Sequence, residues 1–244
     1  RAEHMGDPDF YKVPTKTLIS NEYAQQRMSD YTVGVASQSK NIQAGKVHES
    51  EQTTHFSVID GKGNMVAITT TLNDTYGNKT IVAGAGFLLN NEMDDFSIKP
   101  GVPNMYGALG GEANSIQPGK RMLSSMTPTL VTINNKPYLS IGTPGGTTIP
   151  NQVYEGLVNM IDHKMSLKAA IDAPRFHHQW LPDIVKVEAT SFDAKTIKEL
   201  ENKGYIIDYK NASNIGRVDA ILVLSDGSLE AGADKRGDDT AVGG

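Results

Sequence analysis

The 244-residue sequence contains no cysteine, which excludes disulfide bonds, a cysteine nucleophile and metal sites built from thiolates. It also lacks any apolar run near the roughly 18 residues that a membrane-spanning helix needs, so no membrane span is expected. Lysine and arginine number 23 against 28 aspartates and glutamates, and they form no basic cluster. Nucleic-acid partners are not expected, because contacts with phosphate need a basic surface.

The first residues lack both an initiator methionine and the apolar segment of a signal peptide. We therefore expect Arg1 to lie in the interior of a longer chain. With 38% hydrophobic and 21% charged residues, the composition is typical of a globular protein. The length suits one large domain or two small ones.

Strand patterns arranged as hairpins dominate the sequence after residue 52. Alternation over Thr53–Ile59 and over residues 65–72, around a glycine-rich turn, predicts the first hairpin. Two more hairpins are predicted at residues 127–142 and 220–233. A lone strand is predicted at 184–188, and helices at 151–163, 166–173 and 193–203. A further short helix is predicted within 14–30, with Ser20 or Asn21 as its cap and residues 22–28 in its body. Antiparallel hairpins flanked by helices indicate an α+β protein or a layered α/β sandwich.

Residues 51–58, which read EQTTHFSV, bring two threonines to the start of the first predicted strand. If the peptide bond between Gln52 and Thr53 were cut, Thr53 would gain a free α-amino group with a pKa near ~8. That amine could take the proton of the Thr53 hydroxyl and so activate it as a nucleophile. Paired threonines are also ordinary β-branched strand residues, and these eight residues alone leave both interpretations open.

A glycine pair, Gly145–Gly146, lies between a predicted strand and a predicted helix. Bare N–H groups near the N-terminus of a helix can bind an oxyanion. A strand-to-helix turn with positive φ needs glycine for a different reason, namely the missing Cβ. The sequence leaves these two interpretations equal.

Other polar groups are candidates for binding the charged ends of a small molecule. Ser124 and Ser125 could hold a carboxylate, and Glu92 and Asp95 could bind an ammonium, although each pair also suits an ordinary loop. A metal site at residues 92–95 matches no known loop such as the EF-hand. His177 and His178 lack a third ligand at suitable spacing, so no metal and no cofactor is expected. The single tryptophan, Trp180, is expected in the core.

Taken together, these segments resemble the γ-glutamyltransferases, also called γ-glutamyl transpeptidases or glutathione hydrolases, of the N-terminal-nucleophile hydrolase superfamily. The motifs that carry the resemblance are GDPDF at 6–10, QTTHFS at 52–57, TLN at 71–73, LNNEMDDF at 89–96, KPG at 99–101, LSSM at 123–126, GTPGG at 142–146 and APRFH at 173–177. They run in order through nearly the whole chain, which makes the resemblance highly specific.

The resemblance implies a four-layer αββα sandwich and a precursor that cuts itself between Gln52 and Thr53. Residues 1–52 would then be the C-terminal tail of a large subunit, and residues 53–244 the complete small subunit. The implied reaction moves the γ-glutamyl group of glutathione, or of a related donor, onto Thr53 as an ester. Water, an amino acid or a peptide then accepts the group. A periplasmic or secreted location also follows from the family alone.

The resemblance also implies a role for each matching residue. Thr53 is the nucleophile and Thr71 its hydrogen-bond partner, while Gly145 and Gly146 form the oxyanion hole. The remaining matches concern the donor: Asn73, Glu92 and Asp95 for its α-amino end, Ser124 and Ser125 for its α-carboxylate, and Tyr106 as a lid.

Two departures from the family pattern bear on function, the first on the activity of this chain by itself and the second on acceptor preference. The arginine that binds the substrate carboxylate lies upstream of Arg1 in this family and is not in this chain. Thr147–Thr148 stands where Ser-Arg is frequent in bacterial members. Two alternatives stay open: a relative that acts on poly-γ-glutamate or another amide, and an inactive, unprocessed fragment that folds as a domain.

Overall fold

The structure is a computed structural model that describes residues 1, 3–42, 53–102, 104, 110–180, 182–209 and 214–243. Two residues of the sequence analysis, Gln52 at the expected cleavage site and Tyr106 of the expected lid, lie outside the described residues. The expected subunit boundary between residues 52 and 53 therefore stays a prediction.

The described residues form nine strands and five α-helices. The strands are β1 (Thr53–Ile59), β2 (Met65–Thr71), β3 (Thr129–Ile133), β4 (Lys136–Gly142), β5 (Phe176–His177), β6 (Val185–Val187), β7 (Ile207–Asp208), β8 (Asp219–Val223) and β9 (Leu229–Gly232). The helices are α1 (Thr15–Leu18), α2 (Asn21–Arg27), α3 (Ile149–Ile161), α4 (Leu167–Asp172) and α5 (Ala194–Asn202). All three predicted hairpins are present, and the α+β class is confirmed.

The strands form three sheets. β1 pairs antiparallel with β2, and the four-stranded sheet has the order β3-β4-β8-β9 with antiparallel pairs. The small third sheet, in the order β5-β6-β7, contains one parallel pair. The sequence predicted β6 but not its short neighbours, because two-residue strands carry no measurable alternation.

Helix boundaries follow local signals. Ser20 caps α2 by accepting a hydrogen bond from the backbone N–H of Tyr23 (3.1 Å), as one of the two expected caps. Helix α3 begins two residues earlier than predicted, because Pro150 fits the first turn of a helix, where no N–H partner is needed. Ser166 and Asp193 cap α4 and α5 with side-chain oxygens.

The main core lies between the four-stranded sheet and the helices α3 and α4. Its fully buried members include Leu139 and Ile141 of β4, Leu167 and Ile171 of α4, and Val218 before β8. The β1-β2 hairpin packs on the other face of this sheet, against β4 and β8. The order of layers is helices, sheet, hairpin, which corresponds to three layers of the expected sandwich.

The outer face of the hairpin is apolar and open to solvent. Alternation puts His55, Ser57 and Ile59 of β1 on the inner side, and Phe56 and Val58 on the outer side. The outward-facing residues are Phe56, Val58, Val66 and Ile68, with 45%, 49%, 43% and 40% of their surface exposed. We call these four residues the outer hairpin patch.

The N-terminal segment is docked onto later parts of the chain. Arg121 forms an ion pair with the buried Asp7 (2.6 Å) and also donates its backbone N–H to that carboxylate. Trp180 donates its indole N–H to the carbonyl of Ser39 (3.0 Å). The expectation that Trp180 lies in the core was wrong: the side chain is half-buried and covers the N-terminal segment instead.

A buried ion-pair network anchors the C-terminal segment to the core. Asp234 pairs with Arg175 (2.6 Å) and with Arg236 (3.1 Å), and Arg236 pairs with Glu188 (2.6 Å). Each of these side chains is at most one-tenth exposed. Removal of any one of these side chains would destabilise the fold, because its charged partner would remain buried alone. Arg175 of the APRFH motif therefore stabilises the fold as a member of this buried network.

Candidate active site

The register of the first hairpin brings Thr53 and Thr71 together. The two residues are direct partners across β1 and β2, and the Thr53 Oγ1 lies 3.3 Å from the Thr71 Oγ1. Thr53 shares the inner side of β1 with the buried residues His55 and Ile59. Thr53 at the start of the strand is therefore on the face of the hairpin that is turned to the four-stranded sheet, and it is partly buried there.

A set of backbone and amide hydrogen bonds fixes the end of β2. Thr71 Oγ1 accepts from the backbone N–H of Asn73 (2.9 Å). Asn73 has a left-handed backbone, with φ of 74°, which asparagine tolerates better than most residues. Its side-chain Nδ2 donates to the carbonyl of Asn91 (3.2 Å), and Asn91 Oδ1 accepts from the N–H of Asp74 (2.9 Å). The Thr71 end of the hairpin is therefore tied to the residue that precedes Glu92.

Glu92 and Asp95 lie on a short 3-10 helix, Glu92–Asp95, that follows. Burial raises the pKa of Asp95 to about 6; the guanidinium of Arg1 opposes this rise, and the neighbouring Glu92 adds to it. Burial likewise raises the pKa of Glu92. Two half-buried carboxyl groups that resist ionisation form a site where a bound cation would be stabilised.

Asn114 connects this acidic turn to the serine pair. Its side chain is buried, donates from Nδ2 to the carbonyl of Asp95 (2.7 Å) and accepts the N–H of Leu123 at Oδ1 (2.9 Å). Leu123 immediately precedes Ser124, whose Oγ accepts the N–H of Met126 (3.0 Å). Asn114 could not be identified from the sequence, since an asparagine in an irregular segment carries no signal of its distant partners.

The glycine pair has the backbone conformation that only glycine adopts readily. Gly145 has φ of 139° and Gly146 φ of 56°. A Cβ at Gly145 would lie 2.6 Å from the Thr148 Oγ1. Just before this loop, Gly142 at the end of β4 packs against the imidazole of His55 in β1, where any Cβ would clash. This close approach places the glycine loop on the same side of the fold as the start of β1.

The histidine pair takes part in local hydrogen bonds. His177 is buried and shares the Gln179 Oε1 (2.8 Å) with the Thr147 hydroxyl (2.9 Å). His178 lies 3.1 Å from Asp183. Among the described residues, no group of three or more His, Asp or Glu side chains is arranged to hold a metal ion. In the same part of the chain, no helix has the length and apolar character to cross a bilayer.

The structure thus links most of the expected site residues through short connections. Thr53, Thr71 and Asn73 are joined directly, and Asn91 and Asn114 extend the connection to Asp95 and the serine pair. Acyl transfer from an amino-acid amide requires a nucleophile, groups that bind the charged ends of the donor, and N–H groups that stabilise an oxyanion. The linked residues are of the types that can supply these parts.

Comparison with known proteins gives a consistent result. The family model described as gamma-glutamyltranspeptidase matches residues 1–244. The glutathione hydrolase proenzyme of Escherichia coli K12 is 46% identical over the whole chain, which spans 42% of that protein. The chain therefore covers less than half the length of this curated relative.

Two solved structures are also similar. The gamma-glutamyltranspeptidase of Pseudomonas nitroreducens complexed with L-DON is 44% identical, with a TM-score of 0.73 over 78% of this chain and 98% of that one. The T380A mutant of the Helicobacter pylori enzyme is 48% identical, with a TM-score of 0.72 over 75% of this chain and all of that one. The family match over the full sequence and the agreement in fold support the same conclusion: this chain belongs to the gamma-glutamyltranspeptidase family.

Proposed function

We propose that this chain is the C-terminal part of a precursor that cuts itself before Thr53 and then transfers γ-glutamyl groups. The observation that carries the proposal is the position of the Thr53 hydroxyl at the start of β1, 3.3 Å from the Thr71 hydroxyl. In this arrangement a new N-terminus at Thr53 would place a general base on the nucleophile itself. Family membership supports the same reaction class.

The chemistry proceeds in two steps. In the first, the α-amine of Thr53 takes the hydroxyl proton as Oγ1 attacks the γ-carbonyl carbon of the donor. The N–H groups of Gly145 and Gly146 stabilise the oxyanion that forms. The C–N bond then breaks, and the leaving amine takes the proton from the Thr53 ammonium. A γ-glutamyl ester on Thr53 remains. In the second step, the Thr53 amine takes a proton from water, or from the amine of an amino acid or peptide, as that group attacks the ester carbon. The bond between this carbon and Oγ1 then breaks, and the proton passes to Oγ1, which restores the hydroxyl.

Recognition of the donor uses the charged groups of its glutamyl end. Asp95, Glu92 and Asn73 bind the α-ammonium, which favours the ionised form of Asp95 once it is bound. Ser124 and Ser125 donate hydrogen bonds to the α-carboxylate. An arginine from the upstream part of the precursor completes this carboxylate site. Glutathione and related γ-glutamyl compounds are the donors that fit these groups.

The proposal includes a large-subunit partner, which would retain residues 1–52 after cleavage. Docking of Asp7 against Arg121 supports a tail that stays attached when the chain is cut. Tyr106 would act as the lid over the donor. We also propose that the assembled protein works in the periplasm or outside the cell, as the family resemblance suggests.

The test uses the complete precursor, purified and offered three substrates: glutathione, poly-γ-glutamate and an α-linked glutamyl amide. We expect two fragments with Thr53 as a new N-terminus, release of glutamate from glutathione, and no turnover of the α-linked amide. Preferential cleavage of poly-γ-glutamate would favour the first alternative function. An uncut precursor without turnover of any substrate would show that the protein is an inactive domain and refute the proposal.

A further inference from the structure

Two buried threonine hydroxyls bind the carbonyl groups of the glycine loop. Thr143 Oγ1 donates to the carbonyl of Pro144 (2.6 Å), and Thr148 Oγ1 donates to the carbonyl of Gly145 (2.7 Å). Both threonines are almost completely inaccessible, with 0% and 2% of their surface exposed. The backbone N–H of Thr148 gives the Gly145 carbonyl a second hydrogen bond (3.0 Å).

These contacts fix the direction of the neighbouring N–H groups. In a trans peptide unit the C=O and the N–H point in opposite directions within one plane. The Pro144 carbonyl shares its peptide unit with the N–H of Gly145, and the Gly145 carbonyl shares its unit with the N–H of Gly146. Among the described residues, neither glycine N–H donates to another protein group. With both carbonyls held, both N–H groups are directed away from the threonines.

The threonines are themselves held by backbone contacts. Thr143 Oγ1 accepts the N–H of Arg217 (2.9 Å), which leaves its hydrogen directed at the Pro144 carbonyl. Gly216 makes this approach possible, because a Cβ there would lie 2.8 Å from the Thr143 Oγ1. Likewise, the Thr148 hydroxyl can approach Gly145 only because this residue has no Cβ. The loop is thus fastened to the segment before β8 and to the start of α3.

We propose that Thr143 and Thr148 are positioning residues of the oxyanion hole, which act by aiming the N–H groups of Gly145 and Gly146 before the substrate arrives. This inference rests on the proposed function and deepens it. It also assigns a role to Thr148, which stands where arginine is frequent in bacterial members. Preorganised donors gain their effect because they need no rearrangement as charge develops in the transition state.

The test compares Thr148→Val with Thr148→Ser and with Thr132→Val, all in the complete precursor. Valine keeps the shape of threonine and removes the hydroxyl, while Thr148→Ser retains it. Thr132 is an exposed residue of β3 and controls for the substitution itself. We choose Thr148 and not Thr143 for substitution, because loss of the Thr143 hydroxyl would also leave the N–H of Arg217 without its acceptor. Thr148→Ala replaces the valine variant if that protein does not fold.

The readouts are kcat and KM for a γ-glutamyl donor, and the affinities for glutamate and for a glutamate analogue with a boronic acid at the γ position. The tetrahedral boronate mimics the intermediate and places a charged oxygen in the oxyanion hole, whereas the planar γ-carboxylate of glutamate depends less on the hole. Loss of one oxyanion-hole donor lowers kcat by about 100-fold or more. Because the Thr148 N–H still holds the Gly145 carbonyl, we expect roughly a 10-fold loss.

The expected result is a loss of that size in kcat and in boronate affinity for Thr148→Val, with a clearly smaller loss of glutamate affinity. For Thr148→Ser and Thr132→Val, kcat and boronate affinity should stay within about twofold of the values for the unsubstituted protein, since both variants keep a hydroxyl at position 148. A folded Thr148→Val protein with normal kcat and boronate affinity would overturn the inference, and so would equal losses for boronate and glutamate. Failure of the proposed function would look different, because the unsubstituted precursor would then not turn over γ-glutamyl donors.

Discussion

The hydroxyl of Thr53 is expected to act twice, first in cleavage of the precursor and then in turnover. Thr53→Ala should abolish both, because one oxygen is the nucleophile in each step. Thr53→Ser should retain slow cleavage, since serine keeps the hydroxyl. Intact mass and glutathione hydrolysis measure the two steps. Normal cleavage in Thr53→Ala would show that another residue is the nucleophile, with Thr54 as the first candidate. The Thr54 side chain lies on the exposed side of β1.

Asp95 is expected to bind the donor ammonium only in its ionised form. Asp95→Asn should weaken binding of γ-glutamyl donors by about 2 kcal/mol, or roughly 30-fold, on the scale of losing one partner of a charge pair. Donors without the α-amine should be unaffected. Steady-state KM for the two kinds of donor provides the measurement, and an unchanged KM for γ-glutamyl donors would contradict the assignment.

The raised pKa of Asp95 gives this residue a signature in pH profiles. The group has a pKa of about 6 in the fold, so acidification through that value protonates it and removes its attraction for the ammonium. We therefore expect kcat/KM for γ-glutamyl donors to fall as the pH drops below about 6, since kcat/KM reports groups of the free enzyme. The acidic limb at this pH should be absent in Asp95→Asn. Its persistence there would assign the titration to another group.

At the level of the elements, Asn114 joins two loops that are expected to bind opposite ends of the donor. Asn114→Ala removes the hydrogen bonds to the Asp95 carbonyl and the Leu123 N–H. We expect KM for γ-glutamyl donors to rise by about tenfold with a smaller change in kcat, because misplaced binding groups weaken orientation before chemistry. The loss should also destabilise the fold by about 1–3 kcal/mol, as buried polar groups lose partners.

Asn202→Ala is the matched control for this variant, since Asn202 lies exposed near the end of α5. Thermal unfolding of both proteins separates the two effects. If folded Asn114→Ala retains the KM of the unsubstituted protein, the acidic turn and the serine pair do not depend on this link.

The sequence predicted the regular elements well and their connections poorly. The β1-β2 hairpin has clean alternation and an Asp-Gly turn, and α2 and α5 have recognisable caps, so local signals were sufficient. Asn114 and Thr148 contact backbone carbonyls in irregular segments, and such contacts leave no periodic pattern. The roles of the site residues came from family resemblance, and the structure adds the hydrogen bonds by which those residues could work together.

For the whole molecule, the outer hairpin patch is an exposed apolar surface on a chain that spans 42% of its Escherichia coli relative. Surfaces of this kind favour association when nothing covers them. We expect residues 1–244 alone to self-associate and to show little or no glutathione hydrolysis, since the upstream arginine that would orient the donor carboxylate is also absent.

Light scattering and an activity assay test this expectation, with and without the upstream segment added in trans. The double variant Val58→Thr and Ile68→Thr should reduce self-association while it preserves the hairpin, because threonine suits a strand but is less apolar. A monomer of residues 1–244 with full glutathione hydrolysis would show that the upstream part is dispensable.

The role of Thr53 can be read from the mass of the peptide that begins at residue 53, taken from the complete precursor quenched in acid during turnover of a γ-glutamyl donor. We expect a peptide with Thr53 at its N-terminus that carries one glutamyl group as an ester on the Thr53 hydroxyl. The same peptide from Thr53→Ala should be neither released at residue 53 nor modified. An intact bond between Gln52 and Thr53 in an active enzyme, or a glutamyl group on any other residue, would show that Thr53 is not the nucleophile.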